Sequence, residues 1–286
     1  MSRVYEALRQ SEVEAGSSAA LLNPDSFLVM PAGAPIREIE AADFAWDEIA
    51  SFQPVPRPES RLVALTEDRS LGAEKFRLLR ARLRNLRERQ QVRRIVITSA
   101  VPDEGKTLVS MNLAVSLAKH TADKVLLLEG DLRKPTIAEH LRMPASQGIT
   151  NWFGSNESIR RYVFRCDDLK LWVLPAGVPH DNPLSILQSP RFLELYQQLS
   201  AYFEWVLIDA PPLLPMADVN FWSRQADGLL LVAREGRTPK AVLTKGLEVL
   251  DNPKLLGVVL NDAHAVESSY YHHYYYGGSK TTPPDK

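Results

Sequence analysis

The chain has 286 residues, 45% of them hydrophobic and 24% charged, with a formal net charge of −1. These values exclude wholesale disorder and collagen-like repeats, allow one generous domain with tails, and argue against nucleic acid as a partner. No apolar run approaches the roughly 18 residues that span a bilayer, and the single Cys166 cannot form an internal disulfide, which fits a reducing compartment. The opening MSRVYEALRQ has no hydrophobic signal core, so secretion is not expected.

Residues 1–60 hold six of the twenty prolines and ten acids against four bases, a composition that predicts a flexible linker. Val4, Tyr5 and Leu8 share a helical face, so the leader is either a short helix or solvated coil. From Arg61 to Arg94 the balance reverses to eleven bases and four acids. There Phe76, Leu79, Leu83 and Leu86 recur at helical spacing and predict an amphipathic helix near 73–88. Strands are predicted at Arg94–Thr98, Val125–Leu128, Leu171–Leu174, Trp205–Ile208, Leu229–Val232 and Leu256–Leu260. Helices are predicted near 106–119, 191–202, 216–225 and 238–250. Such alternation implies an α/β fold with a mostly parallel central sheet flanked by helices. The domain then spans 61–265, and 266–286 is a flexible tail. Five of the nine tyrosines lie in that tail: Tyr270, Tyr271, Tyr274, Tyr275 and Tyr276.

The strongest motif is Ala100-Val101-Pro102-Asp103-Glu104-Gly105-Lys106-Thr107. It follows a predicted strand and opens a predicted helix, the context a phosphate-binding P-loop requires. Gly105 lets the backbone approach phosphates, and the loop and helix-start N–H groups, through Leu108, form an anion site. Lys106 supplies a point charge to the β- and γ-phosphates, and the Thr107 hydroxyl suits Mg²⁺. A nucleotide with Mg²⁺ is therefore the expected ligand. Ala100 stands in place of the first glycine of the motif.

A P-loop needs carboxylates for its metal. Val206-Leu207-Ile208-Asp209-Ala210-Pro211-Pro212 is a buried strand ending in an acid, which makes Asp209 a candidate metal contact. Val125-Leu126-Leu127-Leu128-Glu129-Gly130-Asp131 ends in two acids two residues apart, expected on one side of an extended segment. One of them can serve the metal while the other faces an acceptor hydroxyl.

Together the three motifs resemble those of the bacterial tyrosine kinases, the P-loop autokinases of capsule and exopolysaccharide synthesis. The matching segments are Ala100–Thr107 (Walker A), Glu129–Arg133 (Walker A′) and Asp209–Pro212 (Walker B). The resemblance covers roughly residues 61–276 and implies a P-loop NTPase fold, with Mg·ATP bound by Lys106 and Thr107 and metal contacts from Asp131 and Asp209. It further implies that Glu129 activates a tyrosine hydroxyl and that the five tail tyrosines are autophosphorylated between subunits. Glu74, Arg77 and Arg80 match the family's E-x-x-R-x-x-R motif for contacts within a ring; a solvated charged face is the alternative. Asn261 stands where related folds contact adenine. A separate inner-membrane polysaccharide co-polymerase as activator, a tyrosine phosphatase, and a cytoplasmic location at the inner face of the membrane are also implied. The sequence departs from the family at Asp103, where glycine is usual, and at Glu129, where aspartate is usual.

Other features carry less. Cys166 has no partner pattern, His272 and His273 have no second ligand cluster for zinc, and nucleic acid is not an expected partner of the arginines at 82–94. Two further readings stay open, a dimerising ATPase switch and a non-catalytic ATP-binding scaffold. The switch families carry an extra lysine early in the loop, and residues 95–105 contain none.

Overall fold

Short runs of leucine, valine and isoleucine, buried on both sides, form most of the strands. The computed structural model describes residues 46, 49–56, 58–143, 147–214, 218–250 and 254–263. Among these the strands are β1 (Ser51–Phe52), β2 (Arg94–Ser99), β3 (Val125–Glu129), β4 (Phe164–Cys166), β5 (Leu171–Leu174), β6 (Trp205–Asp209), β7 (Gly228–Arg234) and β8 (Leu255–Asn261). The helices are α1 (Val63–Thr66), α2 (Leu71–Gln90), α3 (Lys106–His120), α4 (Ile137–Leu141), α5 (Ile149–Phe153), α6 (Pro183–Leu187), α7 (Pro190–Tyr202), α8 (Asp218–Gln225) and α9 (Lys240–Glu248).

The strands form one sheet in the order β1-β4-β5-β3-β6-β2-β7-β8. Neighbours are parallel except β4 and β5. Alternation along each strand divides the core into two layers. Val96, Leu126, Leu128, Val206, Ile208, Leu229 and Leu231 face one layer, while Ile95, Ile97, Val125, Leu127, Leu207, Leu230 and Val232 face the other. A sheet buried on both faces is what parallel strands with helical crossovers produce. The α/β P-loop architecture expected from the sequence is therefore the one observed.

Topology sets the site. The chain leaves β2 through α3 and enters β3 one place beyond, and β6 later fills the gap. The carboxyl ends of β3, β6 and β2 consequently stand side by side, where α/β sheets place their ligands.

The expected linker differs at its end. Most of residues 1–60 is expected to be linker, yet Ser51–Phe52 pairs with Arg165–Cys166, and Trp46, Ile49 and Phe52 are buried. The Trp172 indole donates to the Trp46 carbonyl at 3.0 Å, and the Trp46 ring packs on Phe203. Two large aromatics outweigh a proline-rich surrounding, since each removes a large apolar area from water. The rest of residues 1–45 and the tail from 264 lie outside the described residues.

The amphipathic helix runs from Leu71 to Gln90, two residues longer at each end than its periodicity predicts, because Ser70 caps Ala73 and Gln91 closes it at φ 56°. Leu83 is buried, and Phe76, Leu79 and Leu86 pack against the same layer. Three-residue β4 and five-residue α4, α5 and α6 have no counterpart among the predicted elements. Elements that short present too few residues for a period to register.

Candidate active site

The P-loop follows β2. Gly105 is the N-cap of α3 at φ 88°, a left-handed conformation suited to glycine. A Cβ there would also lie 2.1 Å from the Asn261 amide nitrogen. Lys106 and Thr107 begin the helix directly above the ends of β3 and β6.

Asp209, at the end of β6, is 1% exposed. Its Oδ2 accepts from Thr107 Oγ1 at 2.7 Å and its Oδ1 from Ser110 Oγ at 3.2 Å. The Lys106 ammonium lies 3.1 Å from Asp131 Oδ2 and 3.8 Å from Asp209 Oδ2. Burial raises the Asp209 pKa, against the opposing pull of Lys106 and Thr107. Burial also works against the Lys106 charge, but the Asp209 and Asp131 carboxylates outweigh it and leave the pKa above the ordinary lysine value. The cluster thus holds a charged lysine between two acids beside an N–H-rich loop.

A cleft of about 340 Å³ opens over this cluster. One wall is Pro102, Asp103 and Gly105 to Leu108; the other is Asp131, Arg133, Lys134, Thr136 and His140; Pro211 and Pro212 close it. Asp103 is exposed at φ 63°, which explains why glycine suits this position. Thr107, Asp131 and Asp209 offer hard oxygen donors, and among the described residues no group of three or more His, Cys, Asp or Glu competes as a metal cage. That donor set fits Mg²⁺, which takes few protein ligands and completes its shell with water and phosphate oxygens.

Two expectations change, at Glu129 and at Ala100 with Glu104. Like Asp209, Glu129 is 1% exposed and does not itself line the cleft; its donors set it apart. Its Oε1 accepts from the Thr136 and Ile137 N–H groups at 2.5 and 2.7 Å, and its Oε2 from Ala176 N–H at 2.9 Å. Burial pushes its carboxyl up to about 7, although those three backbone donors pull the other way. The strand ends at Glu129, so the alternation that would aim it with Asp131 does not continue. Beyond it the Gly130 N–H donates to the Asp209 carbonyl at 2.8 Å, and a Cβ at Gly130 would strike Trp222 at 2.8 Å.

Ala100 and Glu104 also face away from the cleft. The Ala100 N–H donates to Glu104 Oε2 at 3.1 Å, so it is not offered to a phosphate. Asn261 donates to the Glu104 carbonyl at 2.9 Å, a contact with the loop. Finally, Arg77 pairs with Glu74 at 2.7 Å and Asp68 at 2.9 Å, and Arg80 donates to the Ser116 carbonyl at 3.1 Å. The predicted ring-contact residues are thus engaged within the chain.

Apart from Asp131, the second wall carries no signal in the sequence. Arg133 ends the Walker A′ match, but its placement depends on Asp218, a buried acid 85 residues away that it meets at 2.8 Å. His140 meets the buried Ser60, whose Oγ lies 2.9 Å from Nδ1. Neither partner carries a local signal.

No protein-family model matches the chain. It is 34% identical over 207 residues to the tyrosine-protein kinase YwqD of Bacillus subtilis (strain 168), covering 72% of this chain and 87% of that protein. The chain belongs to the bacterial tyrosine kinase family. It is a protein-tyrosine kinase by that membership. The succinoglycan biosynthesis transport protein ExoP of Rhizobium meliloti (strain 1021) is 31% identical over 228 residues, 78% of this chain but 28% of ExoP. Among solved structures, the VpsO kinase domain is 32% identical with a TM-score of 0.58, covering 68% of this chain and 100% of that one. The chimerical protein CapA2B2 is 28% identical with a TM-score of 0.66, covering 74% and 93%.

Proposed function

We propose that this kinase transfers the γ-phosphoryl of Mg·ATP to tyrosines of its own C-terminal segment, Tyr270, Tyr271, Tyr274, Tyr275 and Tyr276, between neighbouring subunits. The observation that carries this reading is the convergence of Lys106, Thr107 and Asp131 on the lining of one cleft, with Asp209 buried against Lys106 and Thr107. ATP supplies the phosphoryl group, and Mg²⁺ offsets its charge. Lys106 would orient the phosphates, and Thr107 and Asp209 would hold the metal, which leaves Asp131 for the acceptor. A phenol has an ordinary pKa near 10, so a carboxylate that can take its proton lowers the barrier. With Glu129 committed to backbone N–H groups, Asp131 is the acid on the cleft wall that can do so.

Each phosphotyrosine adds roughly −1.5 to −2 charges. Phosphorylation therefore sets the tail against the phosphates of bound nucleotide and loosens an assembly built on tail exchange. A relative named for succinoglycan biosynthesis transport supports a role in polysaccharide export; a membrane co-polymerase as activator and a phosphatase to reset the tail complete this reading. No described helix is long and apolar enough to cross a membrane, so attachment to its inner face runs through that partner.

The test is mass spectrometry of the C-terminal peptide after incubation with Mg·ATP. Phosphate on residues 270–276 is expected in the natural chain and none in Lys106→Ala. A tail that stays unmodified alone and beside a membrane activator overturns the proposal.

A further inference from the structure

We infer that Thr238, Glu104 and Asn261 form a strap that sets the phosphate-binding conformation of the P-loop. The inference rests on the P-loop being the nucleotide site. None of the three lines the cleft, so they are positioning residues.

Glu104 is the pivot. It sits inside the loop yet is 3% exposed. Burying a carboxylate is costly unless its oxygens find donors. Here one oxygen accepts from Ala100 N–H, closing the loop across its own length, and the other accepts from the Thr238 hydroxyl. That hydroxyl in turn accepts from the Arg234 N–H at 3.0 Å, which leaves its proton for Glu104 and fixes the direction of the relay. From the next strand, Asn261 holds the Glu104 carbonyl at 2.9 Å and packs against the face of Gly105 where a Cβ would sit.

The strap's anchors are themselves fixed. Arg234 pairs with Asp262 at 2.6 Å, and Glu235 N–H donates to the Asn261 carbonyl at 3.0 Å, locking the ends of β7 and β8 together. The loop is therefore shaped from outside its own motif, by residues 134 and 157 positions later in the chain. With the strap closed, the Ala100 N–H turns inward, and Gly105, Lys106 and Thr107 are left facing the cleft.

Thr238→Val keeps the shape and removes the hydroxyl, whereas Thr238→Ser keeps the hydroxyl. In the full chain, hydrogen exchange over residues 100–107 without nucleotide and Mg·ADP affinity by calorimetry read the effect. Thr238→Val is expected to speed exchange and weaken Mg·ADP about tenfold, and Thr238→Ser to stay within about threefold of the natural chain. Asn261→Ala is expected to weaken Mg·ADP and Mg·GDP by the same factor. Wild-type exchange in Thr238→Val, or equal damage from Val and Ser, overturns the strap. A selective loss of ADP over GDP in Asn261→Ala makes that residue a base contact and removes it from the strap. If Thr238→Val does not fold, Asn261→Ala decides through the exchange measurement. If the natural chain binds no Mg·ADP, the functional reading fails while exchange still decides the strap.

Discussion

Glu129 and Asp209 end neighbouring strands and are register partners in the sheet. Both are 1% exposed, and burial raises the pKa of both. Their donors differ. Asp209 is held by the side chains of Thr107, Ser110 and Lys106, which can turn to other partners when a ligand arrives. Glu129 is held by three backbone N–H groups, whose positions the fold dictates. One carboxylate is therefore equipped for chemistry and the other ties the 130–142 wall to the end of β5. A buried acid at a strand end is not enough to assign a role; the nature of its donors decides.

The contrast can be broken by mutation. Asp209→Asn is expected to cut tyrosine phosphorylation at least about 10²-fold, since charge stabilisation in such sites is of that order. Its melting temperature should stay close to that of the natural chain, because an amide costs less to bury than a carboxylate. Kinase assay beside calorimetry reads both. Full activity in Asp209→Asn would end its assignment as metal ligand.

Glu129→Gln should do the reverse in emphasis, destabilising the fold by about 2 kcal/mol because an amide N–H₂ group must face a backbone donor. Glu129→Asp installs the residue usual in the family but pulls the carboxylate back by one methylene, so it too is expected to lower the melting temperature. Higher activity with unchanged stability in Glu129→Asp would return Glu129 to the reaction.

The pH dependence sharpens the same point. The folded Glu129 pKa of about 7 lies above its ordinary value of 4.5, so the folded chain holds this proton more tightly. That contribution to stability is complete below the ordinary value and is lost as pH rises through about 7, on the order of 3 kcal/mol in all. The stability gap between the natural chain and Glu129→Gln should therefore narrow from about pH 5 to about pH 8, as followed by denaturant titration. A gap that does not change with pH contradicts the buried, proton-holding role.

The smallest effect is expected at the opposite wall. Asp103→Gly relieves a positive φ and removes a charge beside the phosphates, giving a gain of about 0.5 kcal/mol and a KM for Mg·ATP lower by about twofold. Thermal melts and steady-state kinetics measure it.

Much of this was legible from the chain. Six strands and five long helices announced themselves because a period of 2 or 3.6 needs only local sequence, and Lys106, Thr107, Asp131 and Asp209 announced themselves because each sits at a fixed offset from a strand end. Trp46 and β1 did not, since a two-residue strand in a proline-rich stretch is made by the aromatic pocket it enters. Glu129 looks the same in the sequence whether its carboxylate meets a metal, a phenol or three amide N–H groups. Asn261 and Thr238 met the P-loop only once β7 and β8 had been laid beside β2.

The sequence by itself determined the α/β class, the phosphate loop and the acids that could serve it, because these depend on periodicity and on residue chemistry over a few neighbouring positions. Only the tertiary structure decided which acids face the cleft and what holds the loop in shape. Those outcomes depend in part on hydrogen-bond partners 47 to 157 residues away, and no local pattern encodes a partner that distance brings near.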